Sequence, residues 1–547
     1  MTRTADLLIT DARIDPEASG AEPIERMAVA DGRILALGED ASACAGPETR
    51  VVEMGGRAVL PGFADGHAHH LLAGQSDLFE LQVSSSAGLD EVLEAVAAHA
   101  AGLGAGEWIV GGSWGSGLLE QLSAPEALAR FDAACAGRPA MLRDDSKHNR
   151  WANSAALAAA GITASSPDPE GGEILRDVTG KPTGVLIEAA GLSVEEALIR
   201  QRPMTTEQTA RAAARGIEIL HSYGITAFQD AGASLPMLEA LHHLDQAGRL
   251  EAWVVTSMLA NDVIFGADPV GEGIIRHREQ HRSRRHRPDF IKIFLDGVPP
   301  TRSAAFLEPY LPDELHGCDH RGHTTMDGDQ LRSWLFSTAE QGISAKIHCT
   351  GDASVRTVLD VVEEVRRAGH AAPRYQIAHG QFVHPDDVPR FAALDVVADI
   401  SPMLWFPGVI VDAVAAVLPS GATDRMQPNR ELLEAGALLA AGSDWPVAES
   451  PNPWEAVYGL VTRKDPSGQR AGTLCPDQAI TLAQAMAACT AGPVEAMGLG
   501  EETGRLRPGL SADFIVLAQS PYDVDVEELP TFVAEETWFA GEPVHVR

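Results

Sequence analysis

Five segments of the chain share one local grammar: an apolar run, then a His, Lys or Asp, then a turn residue. They end at His67-Ala68-His69, Lys292 to Gly297, Lys346-Ile347-His348, His379-Gly380 and Gly442-Ser443-Asp444. Side chains on a strand alternate faces with a period of two, so the His67/His69 spacing puts both imidazoles on one face, close enough to ligate one divalent ion. A lone His348 or His379 at the end of an apolar run is more often a structural histidine. Taken with His67, His69 and Asp444, both read as metal ligands. Asp444 in its Gly-Ser-Asp-Trp-Pro turn has a plainer reading as the cap of the next helix, but its place after the last apolar strand favours the metal. Lys292 lies between Ile291 and Ile293, where burial disfavours the charged amine and favours a neutral, nucleophilic one. Pairing with Asp296 or another carboxylate is the alternative.

Residues so far apart in sequence converge when they stand at the C-terminal ends of parallel strands closed into a barrel. Between the motifs, short apolar runs alternate with amphipathic stretches at Leu89 to Ala101, Thr206 to His221, Val355 to Arg367 and Thr481 to Met497, which are predicted helices of a parallel β/α core. The region from about 72 to 191 has Gly-rich loops and apolar runs of its own and is too long for an ordinary connection, so it reads as an insertion. Ala5 to Gly56 reads as short hairpins. The segment after Leu506 repeats that style, and the two ends are expected to pair into one small β domain.

With Lys+Arg 42 against Asp+Glu 77, the net charge of −35 over 547 residues opposes phosphate backbones and anionic lipid surfaces. Nucleic acid and membrane are therefore not expected partners. The six cysteines are scattered without a CxxC pair, as in a cytosolic chain holding free thiols. Charges break up the first residues, so no signal peptide is read and the expected location is the cytoplasm. The most apolar long stretch, Val396 to Leu418, is interrupted by Asp399, Pro402, Pro407, Gly408 and Asp412, and reads as buried, not spanning.

The order HxH, Lys, His, His, Asp, flanked by Pro61-Gly62-Phe63-Ala64-Asp65-Gly66-His67 and closed by Gly509-Leu510-Ser511-Ala512-Asp513-Phe514, resembles the amidohydrolase superfamily over nearly the whole chain. Asp296-Gly297, His348-Cys349-Thr350-Gly351-Asp352, Ala378-His379-Gly380-Gln381 and Gly442 to Pro446 look like its YtcJ-like branch, which includes the N-substituted formamide deformylases. His148, Asn153-Ser154 and Gly184 to Glu188 share that likeness. The resemblance implies an α/β fold, a (β/α)8 TIM barrel (residues 61–502, with the insertion at about 72–191 after the first barrel strand) and a β-sandwich from both termini (1–60 plus 503–547). It implies one or two divalent ions, zinc first, with manganese or iron as alternatives. By that resemblance His67 and His69 hold the more buried ion, His348 and His379 the second, and Lys292 bridges them as a carbamate. Asp444 binds the first ion and serves as general base and acid for the attacking water. The implied reaction is hydrolysis of an amide-type C–N bond in a small N-substituted amide. Heterocycle deamination, cyclic-amide hydrolysis, decarboxylation and a non-catalytic homologue are the competing readings, and the oligomeric state, including a homo-oligomer, is left open.

The chain departs from the branch at Val298-Pro299-Pro300-Thr301-Arg302, at Gly112-Ser113-Trp114 and at Pro402-Met403-Leu404-Trp405. These loops are expected to contact substrate, with Trp114, His148, Arg302, Trp405 and Trp445 as the candidate wall. The window His316, Cys318, His320, His323 lacks the paired half of a structural zinc site and reads as a solvated loop. His70 should face away from the HxH pair. The arginines from Arg282 to Arg287 read as the solvated end of a helix.

Overall fold

The structure, a computed structural model, describes residues 3–104, 106–262, 264–313, 315–404 and 406–547. Its centre is an eight-stranded parallel barrel, nearly closed, with the strands hydrogen-bonded in chain order. They are Phe63–Ala68, Ile225–Ala233, Trp253–Leu259, His286–Phe294, Ser344–Cys349, Tyr375–His379, Val396–Ile400 and Leu439–Ala441. Nearly all of these strand residues are buried, as parallel strands covered by helices require. At the mouth the backbone joins the last strand to the first: Asp444 N donates to the His67 carbonyl at 2.7 Å and His69 N to the Trp445 carbonyl at 2.8 Å.

The strand Ala58–Pro61 is separated from the first barrel strand only by Gly62. It belongs to a sheet that also holds Phe514–Leu517, Glu536–Phe539 and Glu542–Val546, so the two ends of the chain pair directly, with Phe514 opposite Pro61. A second sheet of Leu7–Thr10, Met27–Ala30, Arg33–Leu37 and Arg50–Glu53 packs on it through Ile9, Met27, Val59, Phe514 and Trp538. Through that continuity this β unit fixes the entry of the HxH strand.

After the helix His70–Phe79 the chain leaves the barrel and builds a six-stranded sheet between Leu81 and Glu188. This sheet has its own core, in which Phe131 stacks on Trp151 with ring centroids 4.0 Å apart. A buried ion cluster, in which Arg143 binds Glu80 and Glu195 and Arg150 also binds Glu195, fastens the sheet to the flanking helices. The chain returns through helix Thr206–Ser222, opened by a Thr205/Gln208 capping box. That helix crosses His70–Phe79 at Gly74 and Gly216, where a Cβ on either residue would collide with the backbone of the other helix.

Three expectations are corrected. The stretch Thr481 to Met497 is two helices, Leu482–Ala488 and Ala491–Ala496. Pro493 has no N–H and is tolerated only in a first turn, so a new helix starts just before it. Val396 to Leu418 is not buried throughout: after the seventh barrel strand it forms the helix Val409–Val417, in which Val409 is 65% exposed and Val414 is the buried residue. The Arg282 to Arg287 run is a helix end only at its start, where Arg282 caps the helix Arg278–His281 and Arg284 is exposed. His286 is buried at the start of the fourth strand, Arg287 pairs with Glu502 at 2.7 Å, and Arg285 lies over the Phe539 ring. No helix among the described residues is long and apolar enough to cross a membrane.

Candidate metal centre at the barrel mouth

The HxH spacing on the first strand aims both imidazoles inward, with ring centroids 5.6 Å apart. Asp444, just past the last strand, comes to them from the other side of the seam: Oδ1 is 3.5 Å from His67 Nε2 and 3.3 Å from His69 Nε2. Ligand atoms of these three buried residues all lie within 4.8 Å of one another, the compactness a single ion needs. Gly442 makes the approach feasible, since a Cβ there would overlap the Cβ and backbone of His67. Asp65, two residues before His67 and on the same face, is the seam's clasp. Its Oδ1 accepts the His67 and Ser443 amides, each at 3.0 Å, and its Oδ2 accepts the Ser443 hydroxyl at 2.5 Å.

His379 ends the sixth strand, its ring 4.8 Å from that of His67 and 4.6 Å from that of His348 on the fifth. Both His379 (φ 70°) and Asp444 (φ 56°) adopt the left-handed backbone region. L-residues enter it at a cost of about 1–3 kcal/mol, and such strain concentrates at functional sites. His379 Nδ1 lies 4.0 Å from Asp444 Oδ2.

One nitrogen of each of three rings is already committed. His67 Nδ1 meets Asp399 Oδ2 at 3.0 Å, His379 Nδ1 meets the Ser401 hydroxyl at 3.0 Å, and His348 Nε2 donates to the Gly297 carbonyl at 3.2 Å. Such outer contacts set the tautomer and leave the opposite nitrogen's lone pair for a metal. On His67 that opposite atom, Nε2, is buried without a hydrogen-bond partner among the described residues. An orphaned imidazole nitrogen facing a carboxylate is the signature expected of a ligand atom, and the set His67, His69, Asp444 fits a divalent ion.

The electrostatics agree. Burial, and next the Lys292 charge, push His67 and His348 well below the usual imidazole range, and burial followed by the neighbouring His348 does the same for His379. These rings are neutral at neutral pH, the form that binds metal. Lys292 is buried with its Nζ 4.8 Å from the Phe294 ring centroid, and burial together with the nearby Lys346 lowers its pKa to about 8. Asp296 does not pair with it. That carboxylate accepts the amides of Ala305, Thr350 and Gly351 and the Ser354 hydroxyl, and burial raises it to about 6.

Lys346 and Asp399 form a second, fully buried couple beneath the site. Lys346 Nζ pairs with Asp399 and donates to the Gly66 carbonyl at 3.0 Å, so one ammonium braces both the His67 partner and the HxH backbone. Losing one member of a buried pair costs about 3–5 kcal/mol, because the other is left uncompensated. Neither residue was among the sequence candidates. The available signals were the shared face of Lys346 and His348 in Ala345-Lys346-Ile347-His348, and a charge, Asp399, inside a five-residue buried strand. His70, adjacent to the pair, turns to Asp230 at 2.7 Å and takes no part.

Of the candidate substrate residues, Trp114 lies in the insertion's apolar core with its indole N–H on the Leu142 carbonyl at 3.1 Å. Trp445 is buried at the seam, in the barrel core. Arg302 is committed to Asp313 at 2.9 Å and to the Leu311 carbonyl at 2.6 Å, and its own carbonyl meets His320 Nε2 at 2.8 Å. His316 also pairs with Asp313, so the histidine-rich window braces the Arg302 loop. Trp405 lies outside the described residues. His148 is close to the histidine cluster at the mouth, its ring 6.0 Å from that of His348. It forms a buried pair with Glu188 in which burial opposes both charges, yet the carboxylate holds His148 above its usual range and is itself held low.

The profile of the Amidohydrolase family matches residues 50–545. N-substituted formamide deformylase of Arthrobacter pascens is 28% identical over 99% of this chain and 98% of its own length. Protein LONG AFTER FAR-RED 3 of Arabidopsis thaliana is 30% identical over 97% of this chain and 91% of its own. Among solved structures, an uncharacterized metal-dependent hydrolase from Pyrococcus horikoshii superposes with a TM-score of 0.74 at 20% identity, over 95% of this chain and 99% of that one. That similarity shows the shared fold.

Proposed function

This chain belongs to the amidohydrolase family, and from that premise we propose that it hydrolyses a small, uncharged N-substituted amide, a formamide first among candidates, to an amine and an acid. The observation that carries the reading is the His67, His69, Asp444 cluster with its unpartnered, buried His67 Nε2. These three residues would hold one divalent ion, zinc first by their N and O donors, and His348, His379 and Lys292 a second. A divalent ion in such a site supplies Lewis acidity and brings the pKa of a bound water down to about 7.

The chain's own residues do the rest. Asp444 takes a proton from the attacking water and returns it to the departing amine nitrogen. Asp399 and Ser401 hold the His67 and His379 rings in register. The seam clasp of Asp65 and Ser443 keeps Asp444 opposite the HxH pair. Full-length similarity to a formamide deformylase supports the amide. The engagement of Arg302 with Asp313 supports an uncharged substrate, since it leaves that guanidinium tied up instead of free to clamp a carboxylate.

Steady-state comparison of N-benzylformamide, an N-acyl amino acid and a cyclic imide tests this. The formamide should have the highest kcat/KM. Turnover of the cyclic compound or of a heterocyclic amine with both open amides inert would replace the substrate assignment.

Lys292, as a carbamate, would help hold both ions. Burial and the nearby Lys346 lower its pKa to about 8, so its amine is more readily neutral, and able to add to carbon dioxide, than that of an exposed lysine. Lys292→Ala should lose metal and activity together and regain part of both with added acetate or propionate. Density for an unmodified amine beside a single fully occupied ion would remove the bridge.

A further inference from the structure

The inserted sheet brings one polar pair to the barrel mouth that the metal centre does not use. His148 follows the strand Ala140–Asp144 and Glu188 ends the strand Pro182–Glu188, and both are buried. His148 Nδ1 donates to Glu188 Oε2 at 2.7 Å, and Glu188 Oε1 accepts the Ser303 hydroxyl at 3.2 Å. Ser303 lies in the barrel loop after the fourth strand, whose Gly297 carbonyl accepts both His348 Nε2 at 3.2 Å and the Thr350 hydroxyl at 2.7 Å. The pair is thus built into the shell that holds His348. Glu188 is itself held in the left-handed backbone region, at φ 48°, an unfavourable conformation for a non-glycine residue.

A plain fastening of insertion to barrel is the simpler explanation, but the Arg143, Glu80, Glu195, Arg150 cluster already performs it. Fastening also gives no reason for the way His148 is bonded. Its Nδ1 is locked by a carboxylate, while its Nε2 has no hydrogen-bond partner among the described residues, on a ring 6.0 Å from that of His348. A carboxylate fixing one imidazole nitrogen so that the other faces a reacting group is how a histidine is prepared to touch substrate.

We infer that His148 is a further catalytic residue, supplied by the insertion, whose Nε2–H holds the oxygen of the scissile carbonyl and the oxyanion that replaces it, with Glu188 as its positioning residue. The inference rests on the amide-hydrolysis reading and gives the insertion a part in that chemistry. No bond is made or broken at His148; it donates a hydrogen bond that strengthens as negative charge develops on the oxygen, and one such donor is worth about 10²–10³ in kcat.

The test uses the metal-loaded full chain. His148→Ala and Glu188→Gln are each compared with the parent for metal content, kcat and KM on N-benzylformamide, and calorimetric binding of methylphosphonate, a tetrahedral oxyanion probe that needs no turnover. His148→Ala should keep its metal, lose about 10²–10³ in kcat, bind methylphosphonate at least about tenfold more weakly and recover partly with added imidazole. Glu188→Gln, whose amide oxygen can still accept the Nδ1–H, should lose less, in kcat more than in KM. Imidazole rescue separates a substrate contact from a structural role. Unchanged kcat and unchanged methylphosphonate binding in His148→Ala with full metal overturn the assignment, as does a loss that imidazole does not restore while Glu188→Gln behaves like the parent. If the parent hydrolyses no amide yet loses methylphosphonate binding on His148→Ala, the amide reading fails and the His148 contact stands.

Discussion

Asp444→Asn will fold, keep at least part of its metal and lose about 10³–10⁴ in kcat/KM, the upper range for removal of a positioned general acid–base group. The amide can still occupy the space between His67 Nε2 and His69 Nε2, from which Asp444 Oδ1 stands 3.5 and 3.3 Å, but it cannot take a proton from water. Fold should survive because the seam is held by the Asp444 N–H on the His67 carbonyl and by Asp65 on Ser443, which the substitution leaves alone. The measurement is steady-state kinetics beside elemental analysis. An Asp444→Asn protein within tenfold of the parent at equal metal content would place the proton transfer elsewhere.

The second large effect concerns the metal. Exhaustive chelation should abolish turnover, and readdition of zinc or manganese should restore it. The same treatment should lower Tm, because an ion bound to the folded chain stabilises it by mass action, and because its removal leaves His67 Nε2 unpartnered in a buried place. A thoroughly metal-free protein with full activity would remove the premise of the site. The companion His67→Ala should behave as the chelated parent does, with no rescue by readdition, since Asp444 and His69 alone do not complete the cluster.

Much of this site was legible because metal chemistry and strand geometry both leave marks at short range. HxH needs only the period of two, and an apolar run ending in His, Lys or Asp marks the end of a buried strand wherever it occurs. His67, His69, Lys292, His348, His379 and Asp444 could therefore be named before any coordinates, along with a barrel to gather them. Local pattern also has limits. It merged Leu482–Ala488 and Ala491–Ala496 into one helix, because hydrophobic periodicity continued across Pro493 while the backbone hydrogen bonding did not.

Which residues stand behind and across from those candidate ligands became visible only in the folded chain. Asp399 looked like an interruption in an apolar stretch, yet it is the carboxylate on His67 Nδ1, neutralised by a lysine from two strands away. Asp65 on the first strand clasps Ser443 after the last across the closing seam, and Glu188 of the insertion meets His148 across its own sheet. Each is a pairing between residues 40 to 378 positions apart, and sequence spacing carries no information about such pairs. Trp114 shows the reverse case: an aromatic that suggested a pocket wall is packed in the insertion's core, because apolar area is buried wherever a sheet needs a core, and a lone sequence cannot say which sheet that is. The strand-end positions of the candidate ligands and the family were already readable in the order of residues along the chain. The closing of the barrel decided which buried charges neutralise one another, since unpaired charge in a low-dielectric interior is too costly to leave, and partners are found only where the chain brings them within reach.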